Sequence, residues 1–268
     1  WQFRVATSES SGSFGDGAQL CSTSSIADIA LGDLDNDGDL DAYIADNGAN
    51  QIWLNLGSGQ AGRSGHFTVT TQSLGNGSSR AVAIGYLNGD GSLDAFVGNG
   101  TDASGEPNRV WLNEGSNTFT DSGQSLGISQ TTAIDLGDLD GDGDLDAVVG
   151  NFQEADRIWL NQGGLQGGIQ GVFQATNQHL SHYFDPITSS TTAITLRHLY
   201  ADGDLDLFVG SYDGGNTVWF NDGTGRFTDS GQEMGMEYTE VIALGDLDGD
   251  HDLDAFIGNG NAGQPEAN

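Results

Sequence analysis

Three nine-residue stretches place a carboxylate at every second position: residues 33–41 (DLDNDGDLD), 138–146 (DLDGDGDLD) and 246–254 (DLDGDHDLD). Oxygen ligands at that spacing suit a hard divalent cation, above all calcium, which takes six to eight oxygens at flexible geometry. On this reading Asp33, Asp35, Asp37 and Asp41 ligate through their side chains, as do Asp138, Asp140, Asp142 and Asp146, and Asp246, Asp248, Asp250 and Asp254. The seventh residue, Asp39, Asp144 or Asp252, ligates through its carbonyl. Gly38 and Gly143 at the sixth position permit a sharp turn, whereas His251 at that place is expected to strain its loop. Carboxylates crowded into nine residues repel one another without a cation, so a merely polar turn accounts poorly for the pattern.

Two further copies decay. Residues 86–94 keep three oxygen ligands, Asn88, Asp90 and Asp94, and are left open between a weak calcium site and a polar turn. Residues 198–206 keep Asp202 and Asp206 but begin His198-Leu199-Tyr200, without the first two acids, and no tight site is expected there. An EF-hand needs a bidentate Glu at position 12 and flanking helices. Here position 12 is Ile44, Val149 or Ile257, inside a strand pattern, which excludes that reading.

The loops must be positioned by something regular, because they recur at spacings of 53, 52, 60 and 48 residues. Each is preceded by an apolar run such as Ile29-Ala30-Leu31 or Val82-Ala83-Ile84 and followed by another such as Ala42-Tyr43-Ile44 or Ala95-Phe96-Val97. A third run surrounds Trp53, Trp111, Trp159 or Trp219, and a fourth begins at Phe67, Phe119, Phe173 or Phe227. Four short strands per unit with Gly- and Asn-rich turns describe a propeller blade. The expected architecture is all-β, one domain over residues 1–268, a five-bladed β-propeller of four-stranded blades.

The fifth unit stops after its second strand, and the missing half is at the other end. Trp1 and then Phe14 to Leu20 match the Trp and Phe strands, with a gap of 13 residues against 8 to 14 elsewhere. Residues 1–20 are therefore expected to close the last blade, in their own chain or in a neighbour's. Donation to a neighbour would build a head-to-tail homo-oligomer or filament.

Composition narrows the partners. The chain carries 39 acidic residues against seven arginines and no lysine, for a net charge of -32, and about half of the acids sit in the five loops. A negative field without a basic patch disfavours nucleic acid and anionic membranes. No apolar stretch approaches bilayer-spanning length, so membrane insertion is not expected. The single cysteine, Cys21, forms no disulfide within the chain and is read as a small buried apolar residue. Opening on Trp1 rather than Met marks a mature product or a segment of something larger. Asn76 and Asn99 head glycosylation triplets, which carry little weight in so Asn-rich a sequence.

With the loop DLDGDGDLDAVVG and the following IWLN segment, the chain resembles the FG-GAP/VCBS repeat family, calcium-binding blades also found in integrin α-subunit propellers. The resemblance implies a propeller with calcium in the hairpin between the first two strands of a blade. It also implies an extracellular, secreted or cell-surface setting. Five blades are fewer than the seven of integrins, so no integrin ligand site is carried over.

Other motifs carry less. Gly123 to Gly127 fits the G-x-S-x-G elbow, yet the equivalent turn at Gly231 to Gly235 has Glu233 in place of Ser125, which makes it a repeat-wide turn. Residues 57–62 fit G-x-G-x-x-G without a following helix. His179, His182, Tyr183 and Asp185 cluster in the most diverged unit, and a decorated loop explains them more simply than a contact surface. No acid pair or nucleophile set converges, so no enzyme is expected. The function expected is a structural or adhesive interaction module whose partners are other proteins or itself. A glycan-binding lectin is the alternative, and an accessory domain of a polysaccharide-degrading enzyme ranks last.

Overall fold

The computed structural model describes residues 25–57, 66–101, 104–115, 117–181, 190–212 and 214–260. Among the described residues, nineteen strands fall into five antiparallel sheets in chain order. The first holds β1 (Ile26–Gly32), β2 (Asp41–Asp46), β3 (Gln51–Asn55) and β4 (Phe67–Val69). The second holds β5 (Ser79–Gly85), β6 (Asp94–Thr101), β7 (Ser104–Asn113) and β8 (Phe119–Asp121), with β9 (Leu126–Ser129) as an extra strand on β7. The third holds β10 (Thr131–Gly137), β11 (Asp146–Asn151), β12 (Asp156–Asn161) and β13 (Phe173–Leu180). β14 (Thr191–Arg197), β15 (Asp206–Ser211), β16 (Asn216–Asn221) and β17 (Phe227–Met234) make the fourth, and β18 (Thr239–Gly245) with β19 (Asp254–Asn259) the fifth.

Among the described residues the strands expected from the repeats are present, and each fourth strand of the first four sheets begins at its Phe. The fifth sheet has two strands among the described residues. The segment expected to complete it, residues 1–20, lies outside them, as do Cys21, His182, Tyr183 and Asp185.

Second strands are apolar without alternation, and in the first four sheets they are buried on both faces; β19 in the last sheet is largely exposed. β2, β11 and β15 are buried along their whole length, and Tyr43, Phe96 and Val148 are inaccessible. First strands pack in succession, β1 on β5, β5 on β10, β10 on β14 and β14 on β18. Glycines permit that approach. A Cβ on Gly32, Gly85 or Gly137 would lie 2.6 Å from the leucine δ-carbon of Leu93, Leu145 or Leu205 in the next sheet. β18 has no comparable packing against β1 among the described residues.

Two polar latches recur at the junctions. The asparagine ending a third strand donates its side-chain amide to the loop carbonyl of the preceding sheet: Asn113 to Leu34, Asn161 to Leu87 and Asn221 to Leu139, each at 2.8 Å. In the first three sheets, the glutamine five residues past the Phe that opens the fourth strand accepts from the amide of the Phe that opens the next sheet's fourth strand: Gln72 from Phe119 (2.9 Å), Gln124 from Phe173 (2.8 Å) and Gln178 from Phe227 (2.9 Å). The same glutamines donate to carbonyls two residues earlier, of Asn117, Gly171 and Gly225.

Candidate metal centre

Each acidic loop joins the first and second strands of its sheet, and the first three are rooted at both ends. The leucine at its second position, Leu34, Leu87 or Leu139, is buried in the core. The carboxylate at its ninth position ties the loop down. Asp41 accepts the Leu34 amide at 2.9 Å and the Asn55 amide at 2.7 Å. Asp94, Asp146 and Asp206 repeat both bonds, with Leu87 and Asn113, Leu139 and Asn161, and Leu199 and Asn221. This anchor exists in intact and decayed loops alike, so the ninth acid has structural work independent of any cation. Burial, opposed by those amides, pushes Asp41 and Asp94 up to about 6 and Asp146 up to about 7.

Between the anchors the chain turns on its own carboxylates. Asp33 accepts from the amides of Asp37 (3.1 Å) and Gly38 (3.0 Å), and Asp138 does the same with Asp142 and Gly143. In the last loop Asp246 accepts from Gly249 and His251. The sixth position is left-handed in each intact loop: φ is 93° at Gly38, 92° at Gly143 and 77° at His251. The strain expected at His251 is therefore present, since a side chain at that φ is uncommon. Its imidazole Nδ1 lies 3.4 Å from Asp246.

The turn brings the alternate acids together. Oxygens of Asp33, Asp35 and Asp37 lie within 4.8 Å of one another, as do those of Asp138, Asp140 and Asp146 and those of Asp246, Asp248 and Asp250. These are the three intact loops. Among the described residues no comparable group forms at 86–94 or 198–206, where Asn88, Asp90 and Asp202 instead cap local turns. Burial first, and then the Asp37 and Asp142 carboxylates, raise Asp35 and Asp140 above the usual carboxylate range. The exposed Asp246 is lowered by amides from Gly249 and its neighbours.

The third loop is covered. A short 3₁₀ turn, Gly164–Gln166, lies over it, and Gln166 and Gln170 donate side-chain amides to Asp140 and Asp144. Three buried oxygens there, Asp140 Oδ1, Asp144 Oδ2 and Gln166 Oε1, meet no donor. Buried polar atoms are ordinarily satisfied. Oxygen-only ligands with unmet buried lone pairs fit a hard cation. Gln166 and Gln170 were missed in the sequence because they lie 20 or more residues past the loop, in the Trp159-to-Phe173 connection.

The remaining sequence candidates do not converge. Asn99 is buried, and its side chain bonds Ser79 and the Pro107 carbonyl, so it presents no glycosylation acceptor. His179 pairs with Arg157 across β12 and β13. No helix among the described residues is long and apolar enough to cross a membrane.

No curated protein matches the chain. Among solved structures, the chain is similar to BBS1N crystallised in complex with ARL6DN and soaked with mercury. That similarity is at 13% identity and a TM-score of 0.55 over 88% of this chain and 60% of that one, so the chain spans less than two thirds of it. A lectin of Agrocybe aegerita that recognises non-reducing terminal N-acetylglucosamine aligns at 21% identity and a TM-score of 0.44, over 74% of this chain and 49% of its own. At these identities the first shows a shared fold and the second carries no argument. The model of the FG-GAP-like repeat matches residues 33–97, 87–149 and 199–257, taking in all three oxygen clusters and most of the repeats that hold them. The chain belongs to the FG-GAP-like repeat family.

Proposed function

We propose that the chain is a calcium-stabilised interaction module, non-catalytic and working outside the cell by assembling with copies of itself or with other proteins. The observation that carries this reading is the third loop, where clustered acids and three unmet buried oxygens await a cation. Asp138, Asp140, Asp142 and Asp146 and the Asp144 carbonyl hold calcium there, with Gln166 as a further oxygen. The loops at 33–41 and 246–254 hold two more ions by their matching acids. Because the acids converge only in the folded chain, ion binding contributes directly to folding. Exposed loops of this kind bind in the range suited to extracellular calcium. Residues 1–20 complete the two-stranded last sheet as the outer half of a fifth blade, and a neighbour's copy of that segment makes the module a filament subunit.

Calorimetric titration of the metal-free chain with calcium is expected to show three sites, and sedimentation in calcium to show concentration-dependent association. A chain that takes up no calcium, or stays monomeric at all concentrations, contradicts the respective half of the reading.

A further inference from the structure

One pocket repeats at two successive sheet junctions. Between the first and second sheets it has a volume of about 240 Å³, and Asn50, Leu74, Gly75, Glu106, Arg109 and Trp111 are among the residues that line it. Between the second and third it has about 200 Å³, and the equivalent residues line it: Asn108, Leu126, Gly127, Glu154, Arg157 and Trp159. Both junctions carry Glu-x-x-Arg-x-Trp, at residues 106–111 and 154–159. The first and fourth units have Gly48 and Gly214 in place of the glutamate, and Gln51 and Thr217 in place of the arginine.

That exchange alters what the tryptophan meets. Trp53 and Trp219 donate their indole N–H to the side chain two residues earlier, Gln51 Oε1 at 3.0 Å and Thr217 Oγ1 at 3.1 Å. An arginine at that place offers donors only, and the buried Trp159 Nε1 meets no acceptor. The ring edge that bears this nitrogen is turned to the pocket wall. A Cβ on Gly127 would lie 3.4 Å from Trp159 Cζ2, as one on Gly75 would lie 3.3 Å from Trp111 Cζ2. Glu106 accepts from the Ser78 amide at 3.1 Å and Glu154 from the Ser129 hydroxyl at 2.9 Å, each reaching the segment that leads into its own sheet. Arg109 donates to the Gln124 carbonyl at 3.0 Å and Arg157 pairs with His179, and a guanidinium has five N–H groups to share.

We propose that these two pockets are binding sites for single neutral sugar units of a glycan. Their volumes suit one pyranose ring rather than a drug-sized ligand. Hydroxyl groups both donate and accept, so one ring answers the indole and guanidinium donors on one side and the glutamate on the other. The leucine, glycine and indole of the wall suit the apolar C–H face of a sugar. A net charge of -32 disfavours an anion, and a cation brings no acceptor for the indole N–H.

Calorimetric titration of the full chain in calcium tests this, with glucose, galactose, mannose, fucose and N-acetylglucosamine as probes and glucuronic acid as the anionic control. At least one neutral sugar is expected to bind at two sites and to shift the ¹H–¹⁵N signal of the Trp159 indole, with glucuronic acid binding more weakly than that sugar. Arg157→Gln installs the acceptor that Gln51 provides for Trp53. It should remove one of the two sites without lowering the melting midpoint, and Arg109→Gln combined with Arg157→Gln should remove both. Glu154→Gln should weaken the site between the second and third sheets about tenfold and leave the other unchanged. The proposal is overturned if none of the neutral sugars binds, or if the double variant binds as well as wild type. A preference for glucuronic acid overturns the neutral ligand class.

Discussion

The ninth-position aspartates and the alternate acids before them look alike in sequence but do different work. Asp41, Asp94, Asp146 and Asp206 anchor the loop with two backbone amides each, which explains why this acid survives where the others have decayed. The alternate acids were legible by spacing alone, since a cation is what makes such crowding favourable. Gln166 was not legible, because only the folded connection brings it over the loop. Gln166→Ala is predicted to weaken calcium binding at the third site about tenfold and leave the other two unchanged, read by calorimetry; equal loss at all three would contradict the assignment.

A second residue-scale prediction concerns Asp156, which is buried where Asn50, Asn108 and Asn216 stand in the other sheets. It accepts from the Asn151 amide and the Thr191 hydroxyl, each at 2.8 Å, and burial pushes it up to about 7. A carboxyl whose folded value lies above its unfolded one holds its proton more tightly in the native state. Its contribution is therefore complete below about pH 4 and lost as pH rises through about 7. Asp156→Asn should raise the melting midpoint at pH 8, worth about 2–4 kcal/mol, and change little at pH 4. Asn216 shows that one amide oxygen can serve both donors, Ser211 and Thr239. An equal gain at both pH values would refute the titration account.

At the scale of elements, the four successive strands of the first four units and the Phe start of each fourth strand were readable from period, turn residues and aromatic position. β9 was not, because its bonds to Glu106 and Asn108 depend on the longer β7 of that sheet alone. The latches were hidden too: a glutamine five residues after a Phe shows no purpose until neighbouring sheets place it on the next Phe amide. The glycine before each loop has a packing reason that the structure makes quantitative. Gly137→Ala puts a carbon 2.6 Å from Leu205 Cδ1 and should cost about 1–3 kcal/mol in chemical denaturation. Gly245→Ala, which meets nothing within 4 Å, should cost far less, and equal costs would contradict junction packing as the reason.

For the whole molecule, calcium and sheet packing answer the same problem. A net charge of -32 opposes compaction, and about half of the acids are concentrated in the five loops, where the proposed calcium ions would neutralise them. The repeat period made the sheet-by-sheet architecture readable, whereas the polar latches between neighbouring sheets emerge only in the folded chain. Thermal unfolding of the full chain in millimolar calcium and in EGTA tests the central claim most directly. Three sites, each contributing about 2–3 kcal/mol at a hundredfold excess over its dissociation constant, predict a midpoint at least ~10 °C lower in EGTA. An unchanged midpoint would contradict it.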